Sequence, residues 1–433
     1  VIAENQLLHN IAVVGLGKIG LTLAAVFANN SCKVLGADID PKVVSSVNNG
    51  ISHVKNEPGL EELVANAHHN KTLTATTITS EAVAQSDIVI VIVPVLIDDK
   101  NHVDYRYIDS AVEEIGKGVK KSTLVIFETT LPPGDTRNRF GKKIEEVSGL
   151  RMGTDFDLAY SPERVYSNRI IEDLQNYPKI IGGLTEKSLK RASAFYQKTL
   201  NCEIIEVSSL ETAEFAKVAE CVYRDVNIAL ANDLAKFADN MNVNILEVID
   251  SSNSQPYSHI HQPGIGVGGH CIPIYPYFFI NKGLVQGLTP LSRKINDRMS
   301  DYAISKIEKE MGSLQKKNIL ILGLSYRENV KETTKSTSLA IIEILKEKDV
   351  QVFVADPLFE NEEIIKYDVI PFDINDQTVS SEIDIIILQA YHDEFKKIDF
   401  ESFTKCTFVY DGRNKLSKEK IEELGMRYSG IGK

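Results

Sequence analysis

Cys271 closes the most unusual stretch of the chain, Pro263-Gly264-Ile-Gly266-Val-Gly268-Gly269-His270-Cys271-Ile-Pro273. Four glycines within six residues, bracketed by prolines, give up more backbone entropy than a simple loop requires, so close approach of the backbone to a ligand is expected. A cysteine directly after such a loop can have its thiolate stabilised by amides or cations, and the thiolate is the nucleophilic form. A lone cysteine is commonly an inert packing residue; the glycine context makes the nucleophile the stronger reading here. A second group, Gly15-Leu-Gly17-Lys18-Ile19-Gly20, matches a dinucleotide fingerprint. Gly15 permits a turn, Gly17 admits a pyrophosphate to the backbone, and Gly20 lets helix and strand pack closely. Asp38 follows at about 20 residues, where a carboxylate would hold the adenosine ribose hydroxyls and favour NAD over NADP. The alternative is a tight strand–helix turn with no ligand. Gly323-Leu-Ser-Tyr326-Arg327 repeats the turn without the second and third glycines. There Arg327 either meets a phosphate as a charged side chain or is a solvated loop residue. Lys217, Cys221 and Arg224 fall at i, i+4 and i+7, one helical face, with Val218, Val222 and Ala229 on another; taken alone, Lys217 reads as an exposed charge.

These residues need a scaffold. Ile11–Val14, the glycine turn and the apolar-periodic Leu21–Phe27 read as strand, turn and helix. Val34–Ala37, Ile88–Val93 and Leu124–Phe127 are further strands, with helical stretches such as Ile108–Gly118 between them. Parallel neighbours need a crossover and the helices supply it, so a parallel sheet is expected. The rhythm returns at Ile319–Leu322, Val350–Ala355, Asp384–Leu388 and Thr407–Tyr410. Leu210–Asn240 and Leu291–Met311 carry helical periodicity. The expected fold is α/β: two doubly wound Rossmann-like domains, 1–206 and 313–433, joined by a central helical domain, 207–312. Long striped helices between domains often form dimer surfaces, so a homodimer through the central helices is expected.

The chain has 433 residues, enough for two or three domains, and is 43% hydrophobic and 25% charged. A net charge of −12 leaves no broad basic surface for nucleic acid. Cys32, Cys202, Cys221, Cys271 and Cys406 lack paired spacing, which argues against a disulfide framework or a metal site and fits a reducing cytoplasm. Val1–Asn10 has no basic segment ahead of a long apolar core, and no 18 apolar residues run together, so neither export nor a membrane anchor is expected.

Ser161-Pro-Glu163-Arg164-Val165, the run from Lys217 to Asn232, and His261-Gln-Pro-Gly through Pro273, together with the fingerprint, closely resemble the UDP-glucose/GDP-mannose dehydrogenase family over nearly the whole chain. Pro-Glu-Arg-Val, Tyr-Arg-Asp-Val-Asn-Ile-Ala and His-Gln-Pro-Gly are similar to the branch acting on UDP-N-acetylhexosamines, especially UDP-N-acetylmannosamine 6-dehydrogenases. The resemblance implies a C6 alcohol oxidised to a carboxylate by two hydride transfers to NAD. It implies Cys271 as the nucleophile that forms a thiohemiacetal and then a thioester, and Lys217 as acid/base or electrostatic support for the first oxidation. It also implies that Glu163 assists the hydrolytic water and that Thr130 lies near the nicotinamide and a catalytic water. Gly15, Gly17, Lys18, Ile19, Gly20, Asp38 and Thr130 would hold the cofactor. Arg164, Val165, Lys217, Cys221, Arg224, Tyr257, Gly268, Tyr326, Arg327 and Arg413 would hold the UDP-sugar, with Arg293 also matching a pocket position.

Several positions depart from the family pattern. Cys221 stands where an Asn is usual, Tyr275 where an Asp follows the cysteine motif, and Tyr257 where an Arg reaches a neighbouring subunit's substrate. Val93-Pro94-Val95-Leu96 replaces Val-Pro-Thr-Pro, Val43 replaces a basic adenosine-site residue, and Thr334 beside Lys335 replaces an Arg. Such losses cost about 1–3 kcal/mol of binding each if nothing replaces them. The rival readings are a UDP-glucose 6-dehydrogenase, a simple hydroxyacid dehydrogenase, and a non-catalytic nucleotide-sugar-binding relative.

Overall fold

The computed structural model describes residues 9–433. The reading of the N-terminal segment as free of an export signal falls mainly on Val1–Leu8 and lies outside them. The chain forms two compact units, 1–220 with 277–282, and 221–276 with 283–433.

In the first unit, apolar runs bury themselves as strands: β1 (Asn10–Val14), β2 (Lys33–Ala37), β3 (Leu73–Thr76), β4 (Ile88–Val91), β5 (Leu124–Phe127), β6 (Asp157–Tyr160), β7 (Lys179–Gly183) and β8 (Ile204–Val207). Their sheet order is β8-β7-β6-β5-β4-β1-β2-β3. The six from β3 to β6 follow the doubly wound order, in which neighbours at the centre diverge and open a crevice. In register, Ile11 lies beside Val34 on one side and Ile88 on the other. The sheet is not wholly parallel: β7 meets β6 antiparallel, and β8 runs with β7. Helix α1 (Lys18–Asn29) crosses from β1 to β2, and its Leu21, Leu23, Phe27 side pack in the core. Helix α2 (Glu186–Leu200) covers the sheet with Phe195 and Tyr196.

Helix α3 (Leu210–Met241) runs without a break for 32 residues, and the division between the units falls within it. The segment expected as one helix over Leu291–Met311 is two, α4 (Leu288–Asp297) and α5 (Met299–Met311), interrupted at Arg298.

The second unit holds β9 (Asn318–Leu322), β10 (Gln351–Ala355), β11 (Ile370–Pro371), β12 (Ile385–Leu388), β13 (Phe408–Asp411) and β14 (Arg427–Gly430). The order β11-β10-β9-β12-β13-β14 is fully parallel and repeats the doubly wound pattern. One sheet face shares its core with Ala235, Ala238, Ile245, Ile249 and Ile304 of the central helices, so those helices are part of this unit's packing.

Candidate active site

The first glycine turn has the geometry a dinucleotide needs. Gly15 takes φ +91°, and a Cβ there would sit 3.3 Å from the Ile92 backbone. At Gly20 a Cβ would lie 1.9 Å from the Gly15 carbonyl oxygen, whereas at Gly17 nothing stands within 4 Å. Gly20 is thus demanded by packing and Gly17 by open space, into which the first backbone N–H groups of α1 point their positive end. The turn opens on a cavity of about 740 Å³ that also reaches Asp38, Pro94, Tyr107 and Glu114. Asp38 Oδ2 accepts from Leu16 N at 2.8 Å and Oδ1 from Asp40 N at 2.9 Å, which fixes the carboxylate at the end of β2. Turn, open helix end and carboxylate fit NAD. The Lys18 ammonium donates to Asn168 Oδ1 at 3.2 Å, and Ile19 packs on the core. Of the departures, Leu96 lines the cavity while Val43 packs inward.

Glu163 follows β6 and enters a buried cluster. Lys179 Nζ, on β7, donates to Glu163 Oε2 at 2.7 Å and to Glu128 Oε2 at 2.6 Å; Tyr196 OH donates to Glu128 Oε1 at 2.6 Å. Arg164 N donates to Glu163 Oε1 at 2.7 Å. Burial drives the Glu128 carboxyl up to about 7, against the pull of Lys179. Burial pushes Glu163 the same way, but the Lys179 charge and hydrogen bond outweigh it and hold Glu163 below its ordinary value. Lys179 and Tyr196 carry no local pattern that marks them in the sequence, whereas Glu128 is signalled by a charge at the end of the apolar strand Leu124–Phe127. Thr130, two residues on, is buried in the loop after β5. Arg164 Nε donates to Glu220 at 3.0 Å, and Val165 packs against the first unit's core.

Lys217, which alone reads as an exposed charge, is buried on α3, as are Glu214, Cys221, Asp225 and Asn232. The same helix exposes Phe215, Tyr223, Leu230, Phe237 and Met241. Its buried side thus carries several charged and amide groups and its exposed side several large apolar ones, unlike an ordinary surface helix.

In the second unit the glycine-rich loop is held at both ends. Gly264 N donates to Asn232 Oδ1 at 2.9 Å, and Asn232 Nδ2 to Asn296 Oδ1 at 2.9 Å. Asn296 Nδ2 in turn reaches Asp225 Oδ1 at 2.7 Å. Beyond Cys271, Arg293 Nη1 donates to the Ile272 carbonyl at 3.3 Å while its Nε lies 3.2 Å from Asp225 Oδ2. Arg293 is therefore a buried clamp, outside the cavity it was expected to line. The glycines serve protein packing as well: a Cβ at Gly268 would lie 2.6 Å from Tyr326 Cβ, and Gly266 and Gly269 have φ of +146° and +96°. This local need accounts for part of the loop's glycine content.

Cys271 is exposed. Its neighbours Gly268 and Ile272 line a cavity of about 280 Å³, with Arg224, Tyr326, Arg327 and Arg413. Arg327 Nε is buried without a hydrogen-bond partner, as a group awaiting an anion would be. Arg413 donates through Nε to the Gln389 carbonyl at 2.5 Å. Tyr275 reaches back through its backbone, N to the Cys271 carbonyl at 2.9 Å. Tyr257 is 88% exposed and outside this cavity. In the second unit's turn, Asp356 occupies the place Asp38 has in the first: its Oδ2 accepts from Leu324 N at 2.8 Å but also meets His392 Nε2 at 3.0 Å. His392 is the contact that sets Asp356 apart from Asp38.

Three family models match the chain: the UDP-glucose/GDP-mannose dehydrogenase NAD binding domain over residues 9–200, the central domain over 211–298 and the UDP binding domain over 320–418. A UDP-N-acetyl-D-mannosamine dehydrogenase of Pyrococcus horikoshii is 34% identical over 436 residues, covering 98% of this chain and 99% of that one. A solved structure of UDP-D-ManNAc dehydrogenase from that organism superposes with a TM-score of 0.86 at 32% identity, over 98% of this chain and 99% of that one. A UDP-glucose dehydrogenase from Pyrobaculum islandicum shares the fold, with a TM-score of 0.86 at 24% identity over 100% and 99% of the two chains.

Proposed function

The chain belongs to the UDP-glucose/GDP-mannose dehydrogenase family, and from that premise we propose that it oxidises a UDP-N-acetylhexosamine, UDP-N-acetylmannosamine first among them, at C6 to the uronic acid. The observation that carries the reading is the exposed Cys271 set between two residues of an arginine-lined cavity, one of whose guanidinium nitrogens is buried and unpaired. Support for the sugar comes from the 34% identity to a relative that bears that name.

When bound, NAD supplies the hydride acceptor for both oxidations. Gly15, Gly17 and the first N–H groups of α1 hold its pyrophosphate and Asp38 its ribose. Lys217 takes up the developing alkoxide charge as the alcohol loses its proton and hydride, with Thr130 placing a water. The Cys271 thiolate then adds to the aldehyde carbon, forming a C–S bond, and the resulting hemithioacetal loses a second hydride and a proton to become a thioester. Water adds to the acyl carbon as Glu163 takes its proton, the C–S bond breaks, and the thiolate leaves with the electron pair. The balance is one alcohol, two NAD and one water giving one carboxylate, two NADH and three protons.

Arg224, Tyr326, Arg327, Arg413 and Gly268 form the nucleotide-sugar side of this reading, and the family resemblance assigns Arg164, Val165 and Cys221 to the sugar as well. The domains are taken as 1–206, 207–312 and 313–433. A homodimer covering the outward apolar stripe of α3, with Tyr257 reaching the partner's substrate, and a reducing cytoplasmic setting for the five thiols complete it.

The test is a panel of UDP- and GDP-sugars, with NADH measured by absorbance and product by mass. Two NADH per UDP-N-acetylmannosamine, with Cys271→Ala giving no carboxylate, is the expected outcome. Turnover of UDP-glucose alone would move the protein to that branch. One NADH per sugar, insensitive to Cys271→Ala, would leave hydroxyacid-type chemistry, and binding without NADH a non-catalytic relative.

A further inference from the structure

Glu163 is asked to take a proton from water, yet it sits among buried groups where a carboxylate ordinarily keeps its own. Its surroundings resolve this. Facing it are Glu128 from the end of β5, Lys179 from β7, Tyr196 from α2, Cys202 after that helix, and the neighbouring Arg164, itself paired with Glu220 on α3. Lys179 Nζ lies 2.7 Å from Glu163 and 2.6 Å from Glu128, with its own side chain only 5% exposed. The Tyr196 ring centroid lies 5.0 Å from the ammonium.

We propose that Lys179 and Glu128 are positioning residues for Glu163: the ammonium, gripped by both carboxylates, fixes Glu163 as an anion while Glu128 anchors the ammonium. The inference rests on the reading of Glu163 as the group that assists thioester hydrolysis. One cation between two carboxylates leaves a single negative charge to be accommodated, and the two sites differ. Glu128 is wholly buried, whereas the Glu163 side chain is 11% exposed and accepts a backbone N–H from Arg164. The charge therefore settles on Glu163, and the more deeply buried Glu128, its carboxyl pushed up to about 7 by burial, competes for the ammonium whenever it is ionised. A pair so close titrates as a unit, which makes each residue a lever on the other.

The two levers move activity in opposite directions along the pH axis. Lys179→Met removes the cation, and Glu163 must then share a proton with Glu128. The acid limb of kcat for UDP-N-acetylmannosamine should rise by about one pH unit or more. Glu128→Gln leaves Lys179 to Glu163 alone, so the acid limb should fall. Lys179→Arg should restore the wild-type profile. KM should stay within about threefold in all three, since none of these groups is placed on the substrate. A covalent acyl adduct on Cys271, seen by intact mass at low pH, should increase in Lys179→Met. Should Lys179→Met not fold, the near-isosteric Glu128→Gln still decides the matter by its downward shift. Acid limbs that stay put, or that move together in both variants, overturn the proposal. Glu163→Gln separates the underlying reading: hydrolysis at the wild-type rate there removes Glu163 from the chemistry. An acyl adduct in Glu163→Gln with unmoved limbs in the other variants removes only the positioning role.

Discussion

At the scale of single residues, Cys271 and Arg327 show how far residue type carries a reading. The glycine context marks Cys271 from spacing alone, whereas for Arg327 the sequence leaves phosphate ligand and solvated charge equally open, and the fold favours the first by burying its Nε unpaired beside a cavity. A charge-assisted contact to phosphate contributes about 1.5–3 kcal/mol, so Arg327→Ala should raise KM for the UDP-sugar about tenfold to a hundredfold while kcat changes far less. Steady-state kinetics on the two proteins checks this, and an unchanged KM would return Arg327 to the solvated loop. Lys217 illustrates the opposite case. A lysine on a helix is ordinarily exposed, and only the packing around α3 buries it.

At the scale of elements, the turn into α1 separates glycines that look equivalent in sequence. Gly20→Ala drives a Cβ to 1.9 Å from the Gly15 carbonyl oxygen, and relieving that clash should cost about 2–4 kcal/mol, read as a lower Tm. Gly17→Ala meets nothing within 4 Å, so Tm should hold while KM for NAD rises about tenfold through lost backbone approach. Equal effects of the two substitutions on Tm would show that the turn is not built this way. The extent of α3 was legible because its apolar periodicity runs unbroken, but which face turns inward was not. A helix whose buried side carries Glu214, Lys217, Asp225 and Asn232 looks inside out to any rule based on polarity. Its exposed Phe237 and Met241 give a direct test of the dimer: Phe237→Glu should yield monomers in sedimentation velocity, whereas a monomeric wild type would leave the stripe for some other role.

At the scale of the whole molecule, buried carboxyls tie stability to pH. Glu214 is fully buried and, despite accepting from Gly134 N at 2.5 Å and Thr136 N at 2.8 Å, is pushed up to about 7 by burial. A folded value above the unfolded one means that the folded state holds the proton longer. Its contribution is present below about pH 4.5 and is lost as pH rises through 7, on the order of 3 kcal/mol in all. Glu214→Gln should flatten that part of the stability curve between pH 5 and pH 8, measured by denaturant unfolding at each pH. A slope equal to wild type would show that Glu214 ionises without penalty. The doubly wound architecture, both glycine turns, the acidic strand ends and the glycine-rich loop ahead of Cys271 were determined by the sequence itself, because each depends on local periodicity or on spacing within one turn. The antiparallel edge strands, the clamp of Asp225, Arg293 and Asn296 on the cysteine loop, and the Glu128–Lys179–Glu163 cluster were decided only by the tertiary structure. Their members come from strands and helices far apart in the chain, and a buried charge is stable only once folding has delivered its partner, which no local pattern records.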